Sequence, residues 1–245
     1  MPTLEELYAE YKRLRDEYFA SQGVTIHNTL NRLRTSYYIY GVNHKELIGL
    51  LDYYESMEGI MDLWPLERRP RLRRFLDEVN RRLHNLTSAA RALVDHSRQT
   101  VSTLYEGSEF VERYQRKVTE AFEDCPVSRF VQDLRNYILH REHPAIVAEL
   151  RPSTADVVFQ KRRLVQWDRW TPQARSFLDQ CPENFSLRTV LTQYHEKVSV
   201  FYDWLYDEQM AIHRGEFEVT HALYERLVEL ERLMDEERER PRQSK

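Results

Sequence analysis

Four side chains near the middle of the chain have types and spacings suited to chemistry: Arg135, Asn136, His140 and His143. They lie within Phe130-Val-Gln-Asp-Leu-Arg-Asn-Tyr-Ile-Leu-His-Arg-Glu-His-Pro144. An imidazole titrates near neutral pH without help, and a guanidinium grips phosphate or carboxylate oxygens through two parallel N–H bonds. His140 and His143 could together hold a metal from one helical face, but no third ligand is evident beside them. A plainer reading is mechanical. His140 then caps a helix C-terminus, where a cation is favoured, and Arg135 pairs with Asp133 or a more distant carboxylate.

These residues need a helix to position them. At about 100° per residue, Val127, Phe130, Val131, Leu134 and Ile138 share one stripe, the expected core face. Asn136, His140 and His143 fall together on the opposite face, with Arg135 on the flank between. Pro126 suits the first helical position and Pro144 stops the helix. The polar cluster therefore points away from the stripe that packs its own core, and must face solvent or another subunit.

Arg135-Asn136-Tyr137-Ile138-Leu139-His140 is an Arg-x4-His element with a polar residue straight after the arginine. It resembles the signature of the HEPN superfamily, small helical domains found widely in prokaryotic defence and toxin systems. The longer string Asp-Leu-Arg-Asn-Tyr-Ile-Leu-His-Arg is similar to a segment found mid-chain in a group of bacterial helical proteins. The resemblance implies a metal-independent endoribonuclease that needs no cofactor. His140 would take the proton from a ribose 2′-OH, which attacks the adjacent phosphorus. Arg135 would stabilise charge building on the phosphoryl oxygens, and Asn136 would be a positioning donor. It also implies a homodimer with two such motifs lining one cleft, an RNA substrate, and an antitoxin or other partner protein in a toxin or antiviral defence system. Other members of the superfamily are non-catalytic interaction or scaffold modules, the alternative from a different class. The chain is longer than a minimal HEPN domain, and a candidate hairpin follows the motif directly.

A second constellation is arginine-rich: Arg68, Arg69, Arg71, Arg73, Arg74, Arg81 and Arg82 open the longest helical pattern. Arg68, Arg71, Arg74, Arg81 and Arg82 are the expected RNA-binding residues, since phosphate contacts dominate nucleic-acid affinity. The alternative is a solvated face paired with Asp77 and Glu78.

The net charge of −4 over 245 residues gives no general pull toward nucleic acid, so any basic site must be local. Charged residues at 31% with only 6 Gly favour helices with solvated outer faces. No apolar run approaches the ~20 residues that span a membrane, and no signal-peptide pattern opens the chain; a cytoplasmic protein is expected. No glycine-rich phosphate loop or Gly-x-Ser-x-Gly elbow is present. Cys125 and Cys181 are read as reduced thiols, and Glu218-x-x-His221 as a surface pair.

The expected architecture is mainly α: an antiparallel helical bundle, HEPN-like, with a small β-hairpin insertion around 145–167. One domain covers 1–235, followed by a charged tail, 236–245, expected to fray. Taken in order, a first helix runs from Thr3 until Gly23 ends it, and a second stops at Gly41. A third starts at an Asn43 cap and runs to about Trp64-Pro65. Leu72 to Leu104 form the longest helix, ended by Gly107, and a shorter one runs from Ser108 to about Phe122. Beyond the hairpin, Thr171-Pro172 opens a short helix. Long ones follow from Ser186 to about His213 and from Glu216 to about Met234.

Overall fold

A glycine inside a helix costs about 1 kcal/mol relative to alanine, too little to stop a helix whose apolar seam continues on both sides. In the computed structural model, which describes residues 2–152 and 154–240, helix α1 spans Leu4–Ala20 and α2 runs unbroken over Gln22–Glu55. The expected stop at Gly41 is overruled because Leu33, Tyr40, Leu47, Leu51 and Tyr54 keep helical spacing across it, and all are buried. Asn43 is no cap: its side chain donates 2.8 Å to the Ile39 carbonyl inside the same helix. The break comes instead at Ser56, whose hydroxyl accepts from Gly59 N–H and opens α3 (Met57–Leu63).

The chain divides into two compact units, Met1–Arg32 with Tyr206–Lys245 and Leu33–Leu205. The division falls inside α2 and inside α9 (Leu187–Ile212). In the first unit, Thr3 accepts from Glu6 N–H while Glu6 accepts from Thr3 N–H, a capping box that starts α1. Leu7 and Leu14 bury against Leu227, Leu230 and Met234 of α10 (Arg214–Glu239). Tyr18 lies 6.2 Å from Tyr224, and Tyr11 donates to Glu231, so the two helices run antiparallel. α10 continues to Glu239, through residues of the charged tail expected to fray; residues 241–245 lie outside the described set. Gly23 does not end a helix. It sits in the first turn of α2, where a Cβ would overlap Thr220 Oγ1 and stand 2.6 Å from the Glu216 carbonyl oxygen.

The second unit holds the larger core. A single 3-10 turn, Leu66–Arg68, leads into α4 (Arg69–Tyr105), which ends as expected before Gly107 at φ +75°, a conformation glycine adopts without penalty. α5 (Glu109–Val118) widens into a π-helical turn over Thr119–Glu123. There the Ala121 carbonyl cannot be served by residue 126, since proline has no N–H, and the Ser128 hydroxyl donates to it instead at 3.1 Å. Pro126 opens α6 (Pro126–His140) as the sequence predicts.

The expected hairpin is present as strands β1 (Ile146–Arg151) and β2 (Thr154–Gln160), antiparallel with Ile146 opposite Phe159. Its second arm is shorter than expected. After Gln160 the chain turns into α7 (Lys161–Leu164), where the Lys161 ammonium donates to the carbonyls of Asp179 and Cys181. A third strand, β3 (Asn184–Ser186), pairs with β2. It follows α8 (Pro172–Gln180), which Thr171 caps. Three residues are too few for a period-two pattern to be legible. The molecule is thus mainly helical with a small three-stranded antiparallel sheet. Among the described residues no helix is long and apolar enough to cross a membrane.

Candidate functional site

α6 is buried over more of its circumference than one stripe. Val127, Phe130, Val131, Leu134 and Ile138 are buried as expected, and so are Ser128, Asp133 and Tyr137. Phe130 carries much of this packing: Phe177 lies 4.9 Å away, Trp170 5.3 Å, Phe159 5.8 Å and Phe185 6.0 Å. Sheet and α8 therefore close one side of α6, and α4 covers another. A small cavity is walled by Ser97 and Arg98 of α4 with Arg129 and Gln132 of α6. Further along, the ring of His84 stands 6.5 Å from His143, so α4 and α6 run antiparallel.

What remains open on α6 is the strip Arg129, Gln132, Arg135, Asn136, Leu139, His140, half-buried at its start and exposed at Leu139 and His140. The motif residues lie here. Arg135 donates from Nη1 to Asn136 Oδ1 at 3.3 Å, its Nε is buried without a partner, and it makes no ion pair among the described residues. Asp133, the proposed partner for Arg135, is engaged elsewhere: its Oδ2 accepts from Thr171 N–H at 2.8 Å and Thr171 Oγ1 at 2.7 Å, anchoring the residue that caps α8. Just beyond the helix, Glu142 takes a hydrogen bond from Tyr137 and faces Arg163 at 3.5 Å. Burial, helped by that carboxylate, pushes the Tyr137 hydroxyl up to about 12.

The arginines of the stripe separate into two groups. Arg68 and Arg71 both bond Asp62. Arg81 grips Glu78 with two nitrogens at 2.7 and 2.6 Å, and Arg82 reaches Glu78 at 2.7 Å and the Glu46 carbonyl at 2.9 Å. These bonds, Arg81 first, lower the Glu78 carboxyl from the usual carboxylate range to about 2. Arg74 has no ion pair among the described residues. The second group sits one helical turn before His84, the part of α4 that reaches the end of α6; the first lies three or more turns away.

His84 is the residue that sequence reasoning missed. Nothing in the sequence pairs the long arginine-bearing helix with the motif helix, so nothing singles out this histidine. His195 of α9 is stacked on His44 of α2, with centroids 3.8 Å apart. His221 is exposed and faces Glu225 at 3.2 Å. Among the described residues no three His, Cys, Asp or Glu side chains are grouped so as to hold a metal ion. The open strip of α6 thus carries the Arg135 guanidinium, without an ion pair among the described residues, and His140, and His143 just beyond meets His84; guanidinium and imidazole are types suited to an anion and to proton transfer. Set beside family models, curated proteins and solved structures, the chain matches none.

Proposed function

We propose that this chain is a metal-independent endoribonuclease of the HEPN kind, a toxin or antiviral defence component that works as a homodimer. His140 is the acid/base, Arg135 stabilises the phosphoryl transition state and Asn136 positions it. Arg135 carries the reading. A half-buried guanidinium without a carboxylate has given up water and gained no counter-charge, and an arriving phosphate offsets that cost. His140 is exposed, as an acid/base that must meet a substrate hydroxyl has to be, and Arg81 and Arg82 lie about one turn before His84 along α4.

A second reading, a non-catalytic helical interaction module, is favoured by one observation: four of the five stripe arginines are already bound to Asp62 or Glu78. The experiment that separates the two is cleavage of a mixed single-stranded and structured RNA pool in EDTA. Wild type is compared with His140→Ala and Arg135→Ala, with folding checked by circular dichroism. Cleavage leaving 2′,3′-cyclic phosphate ends, and lost at least a hundredfold in both folded variants, is expected. A folded wild-type protein that cleaves nothing in the pool moves the assignment to the interaction module.

A further inference from the structure

We infer that the stacked imidazoles of His44 and His195 form an acid-labile clasp between α2 and α9, closed while both rings are neutral and opened by protonation. The rings lie 3.8 Å apart and within 10° of parallel. The Tyr40 ring covers the stack, 5.7 Å from His195 and 6.4 Å from His44. Among the described residues, three polar atoms in this cluster are buried without a partner: Tyr40 Oη, His44 Nε2 and His195 Nδ1. Each imidazole therefore has one nitrogen in a place that offers no acceptor.

A neutral ring tolerates this, since one of its nitrogens carries no proton. An imidazolium does not. Both its nitrogens carry N–H, so a proton added to either ring puts a charged donor into a buried position where nothing accepts it. The other groups around the pair give little relief. From α2 they are Tyr37, Tyr40 and the chain neighbours Lys45 and Glu46, both exposed; from α9 they are Tyr194, Ser199, Tyr202 and the exposed Glu196. Ser199 sits 3.4 Å from His195 Nε2 and itself accepts from Tyr37, while Tyr202 donates to the Leu93 carbonyl of α4. Glu196 alone favours the charged state. Burial, then His195, lowers the His44 ring to about 4; burial lowers His195 as well, against the pull of Glu196.

The direction follows from linkage. Both rings are neutral in the folded and unfolded chain above about pH 6.5, the ordinary imidazole value. Below it the unfolded chain binds protons that the closed clasp refuses, so stability falls with pH until the folded rings titrate, near 4 for His44. At full strength each ring shifts the unfolding equilibrium about tenfold per pH unit in that window; partial exposure of both rings reduces this.

The test uses the full chain and its His44→Phe/His195→Phe variant, which keeps a stacked pair but cannot titrate. Urea unfolding is followed at pH 7.5, 6.0 and 5.0. The wild-type folded-to-unfolded ratio is expected to fall at least tenfold more than the variant's between pH 7.5 and 5.0. Equal pH dependence in the two proteins overturns the clasp. Should the variant not fold, ring-proton NMR of the wild type is decisive on its own. Two histidines titrating well below 6, assigned by single His44→Gln and His195→Gln variants, support the inference. Ordinary titration of both rings refutes it.

Discussion

At the scale of single residues, the sharpest contrast is between Asp133 and Arg135, two residues apart on one helix with opposite fates. Asp133 is buried and bound through Oδ2, which accepts from the Thr171 backbone and hydroxyl. Its replacement by alanine would leave the N-terminus of α8 without its anchor and the half-buried Thr171 N–H without its acceptor. A loss of about 1–3 kcal/mol in urea unfolding is expected for Asp133→Ala, and a smaller one for Asp133→Asn, which keeps an acceptor. Arg135, by contrast, has only the weak bond to Asn136. Under the nuclease reading, Arg135→Ala leaves stability within about 0.5 kcal/mol while removing cleavage, and parallel melts and RNA assays check both. The face carrying Arg135 and His140 could be read from the sequence, because helical periodicity sorts one stripe from the other. The partner of each polar residue could not: Asp133 meets Thr171 and His143 meets His84 across long separations that no local pattern encodes.

At the scale of elements, periodic apolar spacing located nearly every helix, and the failures are those of punctuation. Gly41 and Gly23 look alike in sequence and behave differently in space. At Gly41 a Cβ meets nothing within 4 Å, whereas at Gly23 it collides with Thr220 and the Glu216 backbone. Gly41→Ala should therefore raise stability by about 0.5–1 kcal/mol through helix propensity. Gly23→Ala should lower it by about 1–3 kcal/mol as α10 is forced away. Thermal melts of the two variants, moving in opposite directions, would establish that glycine is a close-approach residue in one place and a mere propensity cost in the other. The hairpin was legible from its β-branched run, yet its third strand was not. β3 is held by pairing with β2 and by Phe185 in the aromatic cluster around Phe130, not by a pattern of its own.

At the scale of the whole molecule, the two units differ in how much they bury. The first rests on Leu7, Leu14, Leu227, Leu230 and Met234, while the second has a core that draws on every helix from α2 to α9 together with the sheet. Small cores give small stabilities, and local opening starts where buried contacts are fewest. Amides of α1 and α10 are accordingly expected to exchange with deuterium through openings several kcal/mol below those of α4 and α6, measured by native-state hydrogen exchange. Leu230→Ala should cost about 2–5 kcal/mol and speed exchange in α1 and α10 first. The antiparallel pairing of α1 with α10 also bears on how the molecule is made. At roughly 5–20 residues per second, a ribosome needs about ten seconds or more after completing α1 to reach α10. Throughout that interval Leu7 and Leu14 have no partner from α10, so α1 emerges long before it can settle, and its apolar face is one that nascent-chain chaperones would hold.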